Sequence, residues 1–471
     1  MKKIIFFITF FSFALIADTL PELGSSFDHL ISSSEQKKIK FQIMRQVFSS
    51  NQVINDPEIN DYLNNLGNEL ISKGTITKPE INFFLINDNT INAFAMLGNV
   101  IGVHTGLIFS ANTESELASV LSHEIAHITQ KHLLRLFDSQ SRNSYKTFIA
   151  MAFALLVARS NPQLAQGAII AGSASQVQNT LDYTRDNERE ADRFGLEILN
   201  KSGFDPKGFI DFFSTMQKFN NFSSGPAPAF LRTHPVTTER ISDIEDRLKD
   251  FEYIQKKNSL EFFLVKSKLQ VLVGEYSELS VLFQHQLDTK NYINEAAIYF
   301  GLVYAFIKEN KINQARKYFE KLKNFNYESP MILELNANLL VKEEKFDEAY
   351  EIYKKGLNNF PYHRAFVIGI SKLLLRANRP NELIQLVKSY LDLFKNDPYL
   401  YQILSKAYHL NGNKLLEHES LSDSYFYQYN LKEAISQMDM AVRVNSDNFQ
   451  DQSRVEYRLK FLKKELELLS D

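Results

Sequence analysis

The stretch His123-Glu124-Ile125-Ala126-His127 decides the fold of this chain, because it sets two imidazoles four residues apart. Residues at i and i+4 share one face of an α-helix, so both rings can reach a single metal ion. Thr113 and Glu116 form a capping box that predicts the start of such a helix. Apolar residues then recur at helical spacing: Leu117, Val120, Leu121, Ile125 and Ile128. The pentapeptide alone leaves open an ordinary amphipathic helix with two chance histidines.

A second helical pattern, over residues 185–203, supplies further metal donors. Within it Glu188 and Asp192 are again four residues apart and share a face. A catalytic zinc ion takes three protein ligands and keeps one position open, and two histidines with a glutamate are a known set. We therefore predict one Zn²⁺ per chain, held by His123, His127 and Glu188.

Several neighbours of these ligands are assigned lesser roles. Asp192 is predicted to accept the outer N–H of a zinc-bound histidine and so to fix its tautomer. Glu190 is interpreted as part of a solvated face, as most charged runs are. His104 and His132 are interpreted as structural histidines. His132 follows His127 by five residues, which would take it off the ligand face of one continuous helix.

The third segment is Thr233-His234-Pro235, followed by Arg240. In this order the three segments resemble the HEXXH gluzincin metallopeptidase family that contains the CAAX prenyl endopeptidase and the HtpX heat-shock protease. The resemblance rests on the H-E-x-x-H, E-x-x-A-D and H-P-x-x-x-x-R motifs, and it includes residues 91–95 and 102–107 upstream. It is closest to the periplasmic members that carry tetratricopeptide repeats and act in β-barrel assembly, and it covers the chain from about Leu20 to the C-terminus.

The resemblance implies a zinc metalloendopeptidase. Bound zinc would polarise a scissile carbonyl and acidify a water. Glu124 is next to a ligand but cannot easily reach the same metal, so it is free to act as general base. His234 has two open roles, a reversible block at the fourth zinc position or a hydrogen bond to the developing oxyanion. Arg240 could neutralise Glu188 or the oxyanion, or pin its own loop.

Two helices and three short strands are predicted before the zinc helix, at residues 33–48, 57–72, 81–86, 92–95 and 100–104. Zincins commonly hold an extended peptide against an edge strand, where main-chain hydrogen bonds give sequence-tolerant affinity. We predict that Asn92, Ala93, Phe94 and Ala95 form that edge. A purely structural hairpin is the alternative.

Composition and the N-terminal residues limit the class of protein. The chain has no cysteine, which excludes disulfides and zinc knuckles, and its net charge of −3 gives no argument for nucleic-acid binding. Lys2 and Lys3 precede an apolar run over residues 4–17, the pattern of a secretory signal peptide. Ala17 is the first choice of cleavage site and Ala14 the second, with an uncleaved anchor as the alternative. This run is shorter than the ~20 residues of a spanning helix. The interpretation is a periplasmic protein that is soluble or peripheral to the membrane.

A repeat with a period near 34 begins at about Phe262. Three sets of residues share its phase, with spacings of 36, 34 and 34: Leu279, Ala315, Ala349 and Leu383; Phe283, Phe319, Tyr353 and Val387; and Ser267, Val303, Ala337 and Ser371. Small residues where paired helices cross, with an aromatic on the second helix, are typical of tetratricopeptide repeats, which present a concave protein-binding surface. The pattern is irregular around residues 410–429, and a generic helical bundle is the alternative.

The fold class expected is a zincin-type α+β protease domain, mostly helical with a small β-sheet, followed by an all-α tetratricopeptide solenoid. The predicted divisions are 1–17 for the signal peptide, 18–255 for the protease domain and 256–471 for the solenoid. Between the two metal-binding helices, residues 147–174 predict an apolar helical hairpin, which could be a core element, a lid or a membrane contact.

Three functions compete. The favoured one is a periplasmic zinc endopeptidase with a chaperone-like role, which acts on unfolded or misassembled clients. The resemblance implies that those clients are outer-membrane β-barrel proteins and their assembly machinery. The second is a tetratricopeptide chaperone or adaptor with largely latent proteolysis. The third is a membrane-embedded endopeptidase, against which the absence of a long apolar segment argues.

Overall fold

The computed structural model of the chain describes residues 33–139, 174–222, 228–252, 254–274, 276–444 and 448–470. The signal peptide predicted at residues 1–17 lies outside this part. So does the hairpin predicted at residues 147–174, apart from its last residue.

The N-terminal part begins with two helices, α1 (Ser33–Ser49) and α2 (Pro57–Gly74), as predicted. Three strands follow: β1 (Asn82–Ile86), β2 (Ala93–Met96) and β3 (Val100–His104). Strand β3 is central, with β1 parallel on one side and β2 antiparallel on the other. Strand β2 therefore lies at an edge of the sheet, one residue later in the chain than predicted.

Both faces of the sheet are covered, because side chains alternate along each strand. Phe83 and Leu85 of β1 face the core that α2 and the zinc helix share. Phe84 and Ile86 face the opposite way, into a smaller cluster with α1. The β2–β3 turn is made by Gly98 (φ +84°) and Asn99 (φ +59°), a left-handed pair that suits a tight hairpin.

Among the described residues, seven more α-helices belong to the N-terminal part: α3 (Thr105–Ser110), α4 (Glu114–Thr129), α5 (His132–Ser139), α6 (Ala174–Lys201), α7 (Gly208–Phe222), α8 (Ala229–Thr233) and α9 (Thr238–Arg247). Helix α4 lies among β2, α2, α6 and α7. Helix α6 begins at Ala174, eleven residues before the predicted start, and ends before Gly203 (φ +78°) as predicted. A Cβ atom on Gly195 of α6 would lie 3.1 Å from the backbone of His123, so this glycine lets the two metal-binding helices approach closely.

The C-terminal part is a series of paired helices: α10 (Leu260–Val273), α11 (Tyr276–Thr289), α12 (Glu295–Lys308), α13 (Ile312–Lys323), α14 (Pro330–Lys342), α15 (Phe346–Asn359), α16 (Arg364–Arg376), α17 (Pro380–Leu391), α18 (Pro398–Leu410), α19 (Lys414–Tyr427), α20 (Leu431–Arg443) and α21 (Phe449–Ser470). Every residue of the predicted repeat phase is buried. The predicted fold class, a small-sheet α+β domain followed by a helical solenoid, is confirmed.

The solenoid also continues where the repeat pattern is irregular in sequence. Residues 410–429 contain the regular helix α19. The pattern is obscured because serines take buried positions on this helix. Ser422 Oγ donates to the Ala434 carbonyl at 2.7 Å, and Ser424 Oγ donates to the Pro398 carbonyl at 2.8 Å, so both hydroxyls are satisfied inside the packing.

The two parts share a core and meet again at the end of the chain. Buried apolar residues of α2, α4 and α7 form one cluster with those of α10, α12 and the start of α14. At the far end Tyr429 contacts the Phe41 and Phe48 rings of α1, and Lys37 Nζ lies 2.6 Å from the Glu465 carboxylate of α21. None of the helices in the described part of the chain is both long enough and apolar enough to cross a membrane.

Candidate metal centre

Helix α4 presents the two histidines of the motif to one side. The Thr113 hydroxyl accepts a hydrogen bond from the Glu116 amide at 3.1 Å, so the predicted N-cap is present. The Glu116 carboxylate accepts from the Asn112 amide at 3.1 Å, one residue before the partner that a capping box uses. His123 is buried and His127 nearly so, and their Nε2 atoms lie 3.0 Å apart.

Glu188 of α6 and His234, which follows α8, complete a cluster with these two histidines. One donor atom from each of the four residues lies within 4.8 Å of all the others. His123 Nε2 lies 3.3 Å from Glu188 Oε2, and His127 Nε2 lies 3.4 Å from Glu188 Oε1. In a tetrahedral zinc site with bonds of about 2.0–2.2 Å, ligand atoms are about 3.3–3.6 Å apart. Both distances to Glu188 fall in this range, whereas the two Nε2 atoms, 3.0 Å apart, are closer than the range. The donor set could thus hold a metal ion, and zinc stays the prediction from the sequence.

The charges of the cluster also favour a cation. Burial raises the pKa of Glu188, but the His234, His123 and His127 rings outweigh it and hold that pKa well below its ordinary value. Burial lowers the pKa of His123, yet hydrogen bonds with Asp192 and Glu188 raise it to about 10. Both carboxylates thus stabilise positive charge at the point where the donors meet.

Asp192 lies where it was predicted, behind the first histidine. Its Oδ1 atom is 3.0 Å from His123 Nδ1, and the Arg240 guanidinium donates to both of its oxygens at 2.6 and 2.7 Å. A bidentate pair of this kind fixes the carboxylate in one orientation. Asp192 in turn fixes the ring of His123, because its carboxylate can only accept from Nδ1.

Arg240 takes two of the roles that the sequence left open. Its NH1 atom is 3.0 Å from Glu188 Oε2 and donates to the Pro235 carbonyl at 2.8 Å. It therefore balances charge on Glu188 and also fixes the loop that carries His234. The surrounding carboxylates, Asp192 before Glu188, raise the pKa of Arg240 against the effect of its burial.

His234 enters the cluster as a fourth donor. Its Nδ1 atom lies 2.9 Å from Glu188 Oε1 and 3.3 Å from His123 Nε2. The ring stacks on Phe230 of α8, with centroids 4.8 Å apart. On the other side, Nε2 of His234 is 3.4 Å from Glu124 Oε1.

Glu124 joins the metal centre to the edge strand. Its Oε2 atom accepts a hydrogen bond from the Ala95 amide at 2.8 Å. Its Oε1 atom is buried and has no hydrogen-bond partner among the described residues. The carboxylate thus has one oxygen fixed by β2 and one oxygen available for a proton, which is what a general base requires.

Two residues that were assigned lesser roles, His132 and Glu190, have specific partners. His132 lies outside the four-donor cluster, in line with a structural role, but it contacts His127, which a continuous helix does not predict. Helix α4 ends at Thr129, and Lys131 adopts a left-handed φ of +55° before α5 begins at His132. The spacing rule for one continuous helix therefore does not apply. His132 Nδ1 lies 2.8 Å from Nδ1 of His127.

Glu190 is the next residue in this chain of contacts. It lies 3.3 Å from His132 Nε2 and accepts from the Arg135 guanidinium at 2.6 Å. The hydrogen bond with His132, with help from Arg135, lowers the pKa of Glu190 to about 2 despite partial burial. His104, by contrast, lies outside the cluster as predicted, with its Nδ1 atom 2.8 Å from the Thr90 hydroxyl.

A groove of about 350 Å³ opens beside the metal centre. His127 and the end of β2 form one wall. The opposite side has an apolar part, Ile39 of α1 with Leu133 and Leu134 of α5, and a polar rim that includes Gln36, Lys37, Lys40, Glu80 and Lys131. Met96 and Leu97 line the side nearest to the strand edge. The groove is therefore continuous with the edge at which a peptide could pair.

Comparison with known proteins agrees with this site. Residues 57–248 match the model described as peptidase family M48. The chain is 29% identical over 431 residues to the beta-barrel assembly-enhancing protease of Escherichia coli K12, covering 91% of this chain and 88% of that protein. It is 27% identical over 225 residues to metalloprotease YcaL of the same strain, covering 46% of this chain and 82% of YcaL.

A solved tetratricopeptide repeat protein from Parabacteroides merdae is 10% identical and covers 61% of this chain and 97% of its own, with a TM-score of 0.28. The match over residues 57–248, together with the metalloprotease relatives, supports a metalloprotease similar to peptidase family M48.

Proposed function

We propose that this chain, which is similar to peptidase family M48 over residues 57–248, is a periplasmic zinc metalloendopeptidase with a chaperone-like role, acting on misfolded or stalled outer-membrane proteins. The observation that carries the proposal is the convergence of His123, His127 and Glu188 beside Glu124. The relatives named for β-barrel assembly support the class of client. The apolar run at residues 4–17 supports the compartment. The division into residues 18–255 and 256–471 is part of the same proposal.

In this proposal His123, His127 and Glu188 hold the zinc ion. Bound zinc would polarise the scissile carbonyl and lower the pKa of a water. Glu124 takes a proton from the attacking water at Oε1 and returns it to the leaving amine, while Oε2 stays bonded to the Ala95 amide. Asp192 and Arg240 keep His123 and Glu188 in their ligand orientations.

We assign His234 the blocking role rather than the oxyanion role in the described arrangement. Its Nδ1 atom lies 3.3 Å from His123 Nε2 and 2.9 Å from Glu188 Oε1, so it faces the same point as the predicted zinc ligands and would occupy the fourth position. An incoming substrate would have to displace the ring. That displacement would break the stacking on Phe230 and the contact with Glu188.

Substrate would enter as an extended segment along β2. Asn92, Ala93, Phe94 and Ala95 form or precede this edge strand, which pairs with β3 on one side only. Main-chain pairing tolerates many sequences, which suits a protease for unfolded clients. The groove beside His127 would receive an apolar side chain of the bound segment. The solenoid would hold the remainder of the client on its concave face.

The test is client capture and cleavage by three forms of the full chain: wild type, Glu124→Gln and His234→Ala. Wild type should bind one zinc and cleave an unfolded outer-membrane protein, whereas Glu124→Gln should bind zinc and client but cleave roughly 10²–10⁴-fold more slowly. His234→Ala should cleave faster than wild type if His234 blocks the metal and more slowly if it assists the oxyanion. If Glu124→Gln lost client binding as well as cleavage, that result would contradict the docking role of the solenoid.

A wild type that binds zinc and clients but cleaves none of them would favour the alternative, a chaperone or adaptor with latent proteolysis. Extraction of the mature protein without detergent is expected. A requirement for detergent would favour the membrane-embedded alternative.

A further inference from the structure

The second zinc-binding histidine has a support of its own, which differs from that of the first. His123 bonds directly to a carboxylate, Asp192. His127 instead faces a second imidazole, with its Nδ1 atom 2.8 Å from Nδ1 of His132. Almost no solvent reaches His132, whose side chain is 3% exposed. His132 Nε2 lies 3.3 Å from Glu190 Oε2, and the same oxygen lies 2.6 Å from the Arg135 guanidinium.

The proton positions along this series of contacts follow from the groups at its two ends, the His127 ring and the Glu190 carboxylate. A carboxylate can only accept, so the Nε2 atom of His132 carries the proton that faces Glu190. In a neutral imidazole the other nitrogen is then an acceptor, so Nδ1 of His132 must receive a proton from Nδ1 of His127. His127 thereby keeps its lone pair on Nε2. That is the atom that faces His123 and Glu188.

We propose that His132 is a positioning residue that holds His127 in the metal-binding tautomer and orientation. The Glu190 carboxylate lies at the end of this series of hydrogen bonds and sets the direction in which each of them is donated. Arg135 holds Glu190 in place. Since His132 opens α5 and Glu190 lies on α6, the same contacts join the zinc helix to both elements. The inference rests on the proposed function in one respect, that His127 is a zinc ligand.

The decisive comparison is between His132→Asn and His132→Gln in the full chain. The Asn side-chain oxygen can take the place of Nδ1 and accept from His127, whereas the Gln amide reaches the position of Nε2. Zinc affinity, measured by competition with a chromophoric chelator, should be close to wild type for His132→Asn and about 10–100-fold weaker for His132→Gln and His132→Ala. His104→Ala is the matched control, because it removes another buried histidine without touching the cluster.

Zinc affinity equal in His132→Asn and His132→Gln, or weakened as much by His104→Ala, would overturn the proposal. The Asn and Gln variants keep the test valid if His132→Ala does not fold. Since zinc binding is measured without substrate, a wild type that binds zinc but cleaves nothing would contradict the proposed function alone. A wild type that binds no zinc would overturn both.

Discussion

Two buried clusters of ionisable residues in this molecule differ in the origin of their positive charge. One is the metal centre, His123, His127, Glu188 and His234. The other, the junction cluster, joins the start of α2 to the solenoid and consists of Asp56, Glu58, Lys268, His363 and Glu334. In the junction cluster the Lys268 ammonium lies 2.9 Å from Asp56 and 2.6 Å from Glu58, so the protein supplies the cation. In the metal centre the donors converge on one another.

The comparison shows that burial of acids does not by itself indicate a metal site. Both Glu58 and Glu188 have a lowered pKa although burial alone would raise it. For Glu58 the stabilising charges are Lys268 and His363. For Glu188 the pKa is lowered by His234 and by hydrogen bonds with His123 and His127, three rings whose nitrogens would bind a metal in the neutral form. The two sites are therefore distinguished by the residues that stabilise the buried glutamate, and by whether atoms that could bind a metal face one another.

The largest effect is expected from Glu188→Gln. Loss of a direct carboxylate ligand should reduce zinc affinity by more than the about 10–100-fold typical of an outer partner, and cleavage should fall with it. The measurement is chelator competition together with cleavage of an unfolded client. Glu197→Gln, on the same helix but in a surface pair with Lys201, is the control and should match wild type. Wild-type zinc affinity in Glu188→Gln would mean that the metal centre is not built on this residue.

The next largest effect is expected in the junction cluster, from Lys268→Met. This change leaves Glu58 buried with half of its cationic partners removed, and breaking one partner of a buried pair costs about 3–5 kcal/mol. The free energy of unfolding, measured in urea, should fall by that amount while zinc affinity stays unchanged. Lys372→Met, an exposed lysine of α16, should have little effect. An unchanged free energy of unfolding in Lys268→Met would show that the junction cluster does not need its own cation.

Local patterns were enough to predict most of the fold and the residues that converge at the candidate metal centre. The H-E-x-x-H spacing, the Thr113 cap and the repeat phase each lie within one helix or one helix pair, where sequence distance sets spatial distance. His132 was missed because the helix was assumed to continue past Thr129, whereas a left-handed residue at Lys131 turns the chain back. Glu190 was missed for the same reason, since its partner is His132.

The junction cluster could not be predicted from the sequence at all. Lys268 and Glu58 are 210 residues apart, and His363 and Glu58 are 305 apart. No periodicity links such positions, because their contact depends on how the solenoid packs against α2. The same limit applies to Ala95 and Glu124, which meet only once the sheet lies beside α4.

The smallest expected effect concerns Glu334, the third carboxylate of the junction cluster. Burial and the nearby Glu58 charge raise the pKa of Glu334 to about 7, against the opposing effect of Lys268, from an ordinary value of 4.5. The single ammonium of Lys268 thus does not balance the negative charge of all three carboxylates in the junction cluster. A folded-state pKa above the unfolded value means that the folded state binds the proton more tightly, so this group loses stability as pH rises from about 4.5 to about 7.

Glu334→Gln should remove that loss, because the amide carries no charge and its oxygen can still accept from the Tyr304 hydroxyl. The amide nitrogen cannot accept the hydrogen bond that Asn338 Nδ2 donates to the other carboxylate oxygen, which offsets part of the gain at every pH. One pKa unit corresponds to about 1.4 kcal/mol, so the variant should gain of the order of 1–3 kcal/mol over wild type between pH 5 and pH 8. Urea unfolding across this pH range measures the difference. Glu343→Gln, whose carboxylate has a pKa lowered by the Arg316 pair, should show the opposite trend. The difference in unfolding free energy between Glu334→Gln and wild type could instead stay the same at every pH. That result would mean that Lys268 balances the charge of Glu334 as well. The junction cluster would then resemble the metal centre, in which every carboxylate has a compensating partner.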